Sequence, residues 1–226
     1  MRVSREVIGV LAVLGLALAG HLAFWQKTAE LRADTEIIPV PPSRLAVAAM
    51  AFGDREGLYR VLAHELQDFG DTGGRVTPLL NYDYDRVQTW LRVLDGLDER
   101  SDYTLALAGY LFGQIPDPQR AGMMAAYIAR RAMADPVRNW HWLAYAVFIA
   151  RHRAKDTPMA LGIARELASI RDPSLPVWTR QMPAFVLAGV GDNEAARDLM
   201  GAILGSAQDI SPEERNFMND FIAAHK

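Results

Sequence analysis

One apolar segment near the N-terminus constrains the fold of this chain more than any other feature. Residues Val7 to Trp25 read VIGVLAVLGLALAGHLAFW. As a helix, this segment is long enough to cross the hydrocarbon core of a bilayer, which is ~30 Å thick. The sequence after it has the mixed polar and apolar character of a globular domain. We therefore expect residues 1–26 to form a single transmembrane anchor and the remainder to fold outside the bilayer.

The charges on either side of this segment predict its orientation. Arg2 and Arg5 precede it, whereas Lys27 and Arg32 follow it among several acidic residues. By the positive-inside rule, the N-terminus stays in the cytoplasm and the domain is exported. A cleaved signal peptide is the alternative, because the small residues from Ala17 to Ala19, just before Gly20, form a suitable cleavage site.

Small residues form a ridge along the apolar helix. Gly15, Ala19 and Ala23 follow one another at intervals of four residues, and such a ridge lets the backbone of another helix approach closely. The sequence thus predicts a docking surface for a second membrane helix. The simpler interpretation is that glycine and alanine are common in any transmembrane helix.

The composition excludes several classes of function. Half of the chain is hydrophobic, which excludes general disorder. The net charge of -3 supplies no basic surplus for a nucleic-acid backbone. The chain has no cysteine, so disulfides, thiolate catalysis and cysteine-based metal sites are excluded together.

A proline-containing segment separates the anchor from the domain. Residues 27–43 begin with charges and end in IIPVPPS, and clustered prolines favour an extended, semi-rigid spacer. Ser43 then precedes apolar residues at helical spacing, as an N-cap residue does. We expect the folded domain to begin near Ser43, with residues 44–102 forming N-terminal helices that pack against the helices of residues 103–226.

The rest of the chain repeats a helical pattern. Apolar residues recur every three to four positions, and no segment shows the alternation of a strand. Helix hairpins begin at Tyr103, Trp140 and Val177, at equal intervals of about 37 residues. Asp117-Pro118 and Ser211-Pro212 mark helix starts, with an acidic capping-box residue at Glu214 in the last helix.

Three segments carry a family resemblance: LAGYLF from Leu107, AYIARRAMADP from Ala126 and LAGVGDNEAA from Leu187. They resemble the tetratricopeptide repeat, whose period is ~34 residues. The resemblance covers residues 103–207 and is that of a degenerate member, since the intervals are longer and Trp140 lacks a full set of consensus partners. The first two hairpins are therefore expected to have longer turns or helices. Residues 53–70 resemble the first helix of bacterial membrane-anchored proteins of this type.

The fold class expected from these patterns is all-α. A single transmembrane helix precedes a TPR-like α-solenoid of antiparallel hairpins, in which residues 103–226 form the repeats and a C-terminal capping helix. For a bacterial chain, the predicted location is the inner membrane, with the domain in the periplasm.

Partial motifs for catalysis or metal binding are present but incomplete. His64-Glu65 begins a zinc-protease pattern, yet Asp68 occupies the position of the second histidine. Asp83 and Asp85 imitate calcium ligands, but Arg86 stands where the loop requires glycine. We predict a solvated helix face for the first and a helix cap for the second. No catalytic residue, metal or cofactor is expected.

The candidate partner-binding residues lie around the second hairpin. Trp140 and Trp142 are two positions apart on a helix, so they point to different faces, and an exposed tryptophan is a natural binding anchor. The competing interpretation is that both are buried between hairpins. Arg151 and Arg153 belong to a basic region near the same hairpin.

The resemblance implies protein binding rather than chemistry. The leading hypothesis is a non-catalytic scaffold subunit that assembles or stabilises a membrane protein complex. Its partners would be other subunits of that complex, with membrane lipid around the N-terminal helix and no nucleic acid. The alternative is a module that binds an envelope polymer or peptide in a groove lined by Tyr110, Trp142 and Trp178. An enzyme is the third choice.

Overall fold

The computed structural model describes residues 5–28, 36–71, 74, 76–206 and 210–225. All regular secondary structure within these ranges is helical, which confirms the all-α prediction at that level. The chain divides into two compact units, residues 1–35 and residues 36–226.

The first unit contains one long helix, α1, from Arg5 to Thr28. Its segment Val7–Thr28 has a mean hydropathy of 2.3 and, among the described residues, is the only helix that meets the length and composition of a membrane span. Signal sequences meet the same criterion. Helix α1 continues through Lys27 and Thr28, two residues that were expected in the extended spacer, because nothing in the sequence breaks the helix at Trp25. Arg2 and spacer residues 29–35 lie outside the described residues.

The second unit begins earlier than the sequence predicts. It starts at Glu36 rather than near Ser43, because the second half of the predicted spacer packs onto the helices. Ile38 is fully buried in the main core, and the carbonyl oxygen of Pro39 accepts a hydrogen bond from Trp90 Nε1 at 2.8 Å. Residues 36–43 therefore have no helical structure, as predicted, but they belong to the folded domain.

The N-terminal part of this unit contains three helices. They are α2 (Arg44–Ala51), α3 (Arg55–Asp68) and α4 (Tyr84–Leu97), with a short 3-10 turn at Leu79–Asn81 before α4. Ser43 caps α2 as predicted, since its hydroxyl accepts a hydrogen bond from the Ala46 amide at 3.2 Å. Asp83 caps α4 through the amides of Asp85 and Arg86.

Three helix pairs and a final helix complete the unit. The first pair is α5 (Tyr103–Ala106), which continues through a π-helical turn (Leu107–Leu111) and a 3-10 turn (Phe112–Gln114), with α6 (Pro118–Ala132). The second is α7 (Trp140–Phe148), continued by a π-helical turn (Ile149–Arg153), with α8 (Thr157–Ser169). The third is α9 (Trp178–Ala188) with α10 (Asn193–Ser206), and α11 (Pro212–Ala224) ends the described chain. The first helix of each pair begins within one residue of its predicted start.

The pairs pack in sequence order, each helix from α6 to α11 against the next. Alanines at the closest approaches, among them Ala108, Ala125 and Ala160, are fully buried and allow this packing. One core extends from Ile38 to Val186. A smaller core around Ala184, Met200 and Met218 joins the last three helices.

Candidate interaction surface

The residues of the incomplete metal motifs have ordinary helical roles. His64 lies on the exposed side of α3, with Nδ1 3.0 Å from an Asp68 carboxylate oxygen. Asp83 is the cap of α4 described above. Among the described residues, no group of three histidine or acidic side chains is arranged to hold a metal ion.

A continuous series of aromatic rings, which we call the aromatic ladder, runs along α7 and onto its neighbours. Neighbouring ring centroids lie between 5.0 and 6.4 Å apart. Its members, in spatial order, are Trp178, Trp140, His141, Trp142, Tyr110, Tyr145, Phe148 and His152. The ladder joins the first helices of all three pairs.

Helical spacing and one glycine create this arrangement. Tyr145 and Phe148 are three positions apart on α7, so their rings stack with only 12° between the planes. Tyr110 reaches them from the π-helical turn of the preceding pair. A Cβ on Gly109 would lie 2.9 Å from a Tyr145 ring carbon and 3.4 Å from a Trp142 ring carbon. Only glycine lets these helices come close enough for the rings to meet.

The two tryptophans are less exposed than a binding anchor requires. Trp142 is 5% exposed and belongs to the core, and its buried Nε1 has no hydrogen-bond partner among the described residues. Trp140 is half-buried and packs edge-on against Trp178, with centroids 5.4 Å apart. Neither interpretation of the two tryptophans fits fully, because Trp142 is in the core whereas Trp140 is only half-buried.

Four rings of the ladder are exposed: Tyr110 at 63%, Phe148 at 42%, and the imidazoles of His141 and His152. Tyr110 and Phe148 carry the two large apolar rings among them. Sequence reasoning placed Tyr110 in a polymer groove and gave Phe148 no separate role. Their positions follow from contacts between consecutive helix pairs, which helical spacing within one segment does not reveal. The spacing of Tyr145, Phe148 and His152, at i, i+3 and i+7, was the available signal for a shared face.

Arg151 holds the second pair to the third. Its Nη1 donates a hydrogen bond to the Phe185 carbonyl oxygen at 3.3 Å. Its guanidinium fills the space beside Gly189, where a Cβ would overlap Nη2. This partly buried arginine therefore has a structural contact in addition to its charge.

Arg153 extends the ladder into a polar network. Its Nη2 donates to Gln114 Oε1 at 2.9 Å, and Gln114 Nε2 donates to the Tyr145 hydroxyl at 2.8 Å. Burial raises the pKa of the Tyr145 phenol above its usual value of 10.0, so the hydroxyl stays protonated at neutral pH. Neither Arg151 nor Arg153 forms an ion pair with a described carboxylate. No described carboxylate therefore neutralises the positive charge of this segment.

The predicted docking ridge of the apolar helix lies within α1. Gly15, Ala19 and Ala23 are one turn apart there and solvent-exposed.

Comparison of the chain with protein-family models, with curated proteins and with solved structures found no match.

Proposed function

We propose that this chain is a membrane-anchored, non-catalytic interaction subunit that assembles or stabilises a membrane protein complex. In this proposal α1 spans a bacterial inner membrane, with the N-terminus in the cytoplasm and the second unit in the periplasm. The helix pairs form a short TPR-like solenoid. The observation that carries the proposal is the aromatic ladder, which leaves the rings of Tyr110 and Phe148 exposed. Arg151 and Arg153, which form no ion pair with a described carboxylate, follow Phe148 in the next turn of the chain.

Protein interfaces favour this combination of side chains. Tyrosine, tryptophan and arginine dominate the binding energy of interfaces, because each buries a large area around a directional polar group. Tyr110 and Phe148 are held in place by ring contacts with Tyr145, so they lose little conformational entropy when a partner covers them. The charges of Arg151 and Arg153 favour an acidic partner surface.

A protein partner agrees with the geometry better than an envelope polymer does. A polymer-binding groove requires flat rings that are open to stacking, and it was expected to include Tyr110, Trp142 and Trp178. Trp142 is buried and Trp178 is half-buried against Trp140. Tyr110 alone among the three offers a largely exposed ring.

Affinity capture of the full-length chain from gently solubilised native membranes tests the proposal. The wild type should retain a stoichiometric set of partners, identified by mass spectrometry. Replacing the two large exposed rings, in Tyr110→Ala/Phe148→Ala, should lower that recovery at least tenfold, since each aromatic anchor that a partner buries contributes about 2 kcal/mol or more. Phe217→Ala is the matched control, because Phe217 is also half-exposed but lies on α11, outside the ladder.

One double variant in α1 separates the aromatic ladder from the membrane helix. Gly15→Leu/Ala19→Leu fills the small-residue ridge of α1 and leaves the second unit unchanged. Loss of partners in this variant alone would assign recognition to the membrane helix and contradict the role of the ladder. Equal recovery from all variants, or a monodisperse monomer that captures nothing, would overturn the proposal.

A further inference from the structure

Helix α2 exposes the side that its sequence makes most apolar. Leu45, Ala48, Ala49 and Phe52 fall at i, i+3, i+4 and i+7, the spacing of a stripe that normally faces a core. All four are exposed, Leu45 at 82% and Phe52 at 96%. We call them the α2 stripe. A helix without a polar face is usually covered by protein or by membrane.

The backbone at the end of α2 holds Phe52 outward at an energetic cost. Phe52 has a φ of 46° and is followed by Gly53 with a φ of 90°. The left-handed region suits glycine and asparagine and is unfavourable for a bulky side chain. Phe52 is the residue that ends α2, and it is almost fully exposed. Its ring contributes nothing to the core of this unit and can contact a surface outside it.

A groove with three arginines lies beside the stripe. Helices α2 and α4 and the start of α3 enclose about 760 Å³. Val47, Ala51, Val93 and Leu97 form its apolar walls, and Arg44, Arg55 and Arg92 line it without any acidic residue. Arg55 donates to the Gly96 carbonyl oxygen and Arg92 to Thr89 Oγ1. None of the three arginines forms an ion pair with a described carboxylate.

The short segment between α1 and Glu36 indicates what the arginine groove binds. Seven residues lie between Thr28 and Glu36, so the eight steps between the Cα atoms of these two residues span at most about 29 Å at full extension. If α1 crosses a bilayer, the groove belongs to a unit that cannot move far from lipid headgroups. Arginines suit phosphates, because the guanidinium donates paired hydrogen bonds. The apolar stripe suits the region just below the headgroups.

We propose that the α2 stripe and its arginine groove form a binding site for anionic phospholipid of the membrane that holds α1. The lipid phosphate lies against Arg44, Arg55 and Arg92, and Leu45 and Phe52 enter the interface. The inference rests on the membrane anchoring in the proposed function and is independent of the aromatic ladder.

The test measures lipid contact in the full-length chain. Since the sequence has no cysteine, Ala49→Cys provides a single position on the stripe for an environment-sensitive fluorophore. The labelled chain is reconstituted into vesicles of phosphatidylcholine alone or with phosphatidylglycerol, each carrying a lipid with a shallow quencher. We expect at least fivefold stronger quenching in the anionic vesicles, because one basic side chain near an anionic surface changes binding by about that factor.

Two sets of variants separate charge from apolar contact. Arg44→Gln/Arg55→Gln/Arg92→Gln should abolish the difference between the vesicles, and Arg44→Gln/Arg92→Gln, which keeps the Arg55 contact, should reduce it severalfold. The matched control is Arg165→Gln/Arg171→Gln/Arg180→Gln, which removes the same charge from a second groove of about 740 Å³ around α8, α9 and α10. Phe52→Asn should weaken quenching while the thermal stability stays equal or rises, since asparagine tolerates the left-handed backbone.

The outcomes distinguish this inference from the proposed function. A chain that does not float with the vesicles contradicts the membrane anchoring itself. A chain that floats but shows no quenching, or shows quenching unaffected by the groove variants, overturns the lipid site and leaves the anchoring intact. A fluorophore shielded only in native membranes would assign the stripe to a protein neighbour and would also overturn the lipid site.

Discussion

At the scale of single residues, Asp95 connects more of the fold than any other described carboxylate. From α4 it accepts hydrogen bonds from Thr104 Oγ1 and the Tyr127 hydroxyl, both at 2.8 Å, and from Arg131 Nε at 3.1 Å. Thr104 and Tyr127 are almost fully buried. This one side chain thereby joins α4 to α5 and α6.

We expect Asp95→Ala to lower the free energy of unfolding by about 3 kcal/mol, because it removes the carboxylate that pairs with the Arg131 cation and accepts hydrogen bonds from two buried hydroxyls. Urea denaturation of residues 36–226 measures the change. Asp102→Ala is the control: its ion pair with Arg138, at 3.1 Å, is largely exposed, so its loss should cost less than about 1 kcal/mol. Equal losses in the two variants would contradict the role assigned to Asp95.

Tyr127 makes the stability sensitive to alkaline pH. Burial, and then the nearby Asp95 charge, raise the pKa of its phenol above the ordinary value of 10.0. Since the folded pKa exceeds the unfolded one, the stabilisation is fully present below pH 10 and is lost as the pH rises towards the folded pKa. We expect the free energy of unfolding to fall above pH 10 and Tyr127→Phe to reduce that slope. Denaturant titrations from pH 8 to 12 measure it, and a slope unchanged in Tyr127→Phe would contradict the role of this phenol.

Local and distant interactions differ in what the sequence reveals. The caps Ser43, Asp117 and Ser211 were predicted correctly, because a side chain and the amide three residues later are neighbours in any helix start. The partners of Asp95 lie 9, 32 and 36 residues away. Only the packing of three helices brings them together, and no spacing rule encodes it.

At the scale of helices, two glycines with opposite surroundings test how closely the pairs pack. A Cβ on buried Gly113 would lie 2.7 Å from the Ala108 carbonyl oxygen and 3.0 Å from Ile149 Cδ1. We expect Gly113→Ala to destabilise the fold by about 1–3 kcal/mol, as overpacking does. Exposed Gly162 in α8 has nothing within 4 Å of a Cβ, so Gly162→Ala should stabilise by about 0.5–1 kcal/mol. Thermal unfolding measures both changes, and a shift of the same sign in the two variants would contradict this packing.

Apolar periodicity predicts where these helices begin, but it does not predict their turns or which of their faces are exposed. The starts at Tyr103 and Trp140 follow from apolar spacing, and the first helix of each of the first two pairs continues into a π-helical turn, at Leu107–Leu111 and Ile149–Arg153. The type of turn was not predictable, because it depends on contacts such as that of Gly109 with Tyr145. Periodicity can also mislead, as the α2 stripe shows. Its residues have the spacing of a buried helix face, yet the structure leaves them exposed.

At the scale of the whole molecule, the candidate surfaces depend on packing between segments that are distant in sequence. The aromatic ladder takes rings from three helix pairs, and the arginine groove takes its walls from α2 and α4. The sequence indicated that aromatic and basic residues around Trp140 and Arg151 could bind a partner. The structure shows that the large rings exposed for such binding are those of Tyr110 and Phe148. A sequence alone lists these side chains without indicating which of them the fold leaves uncovered.

The start of the second unit is the property of the whole molecule on which sequence and structure differ most. We expect a chain of residues 43–226 to be less stable than one of residues 36–226 by about 3–5 kcal/mol. It loses the buried Ile38 side chain, worth about 1.5–3 kcal/mol. It also leaves Trp90 Nε1 without the Pro39 acceptor, at a cost of about 1–3 kcal/mol. In the longer chain, Ile38→Ala should reproduce most of the loss, whereas Val40→Ala, at a largely exposed position, should change stability by less than about 0.5 kcal/mol. Superimposable urea transitions for the two chains would show that residues 36–42 are only a spacer, whereas a lower midpoint in the shorter chain would make them part of the fold.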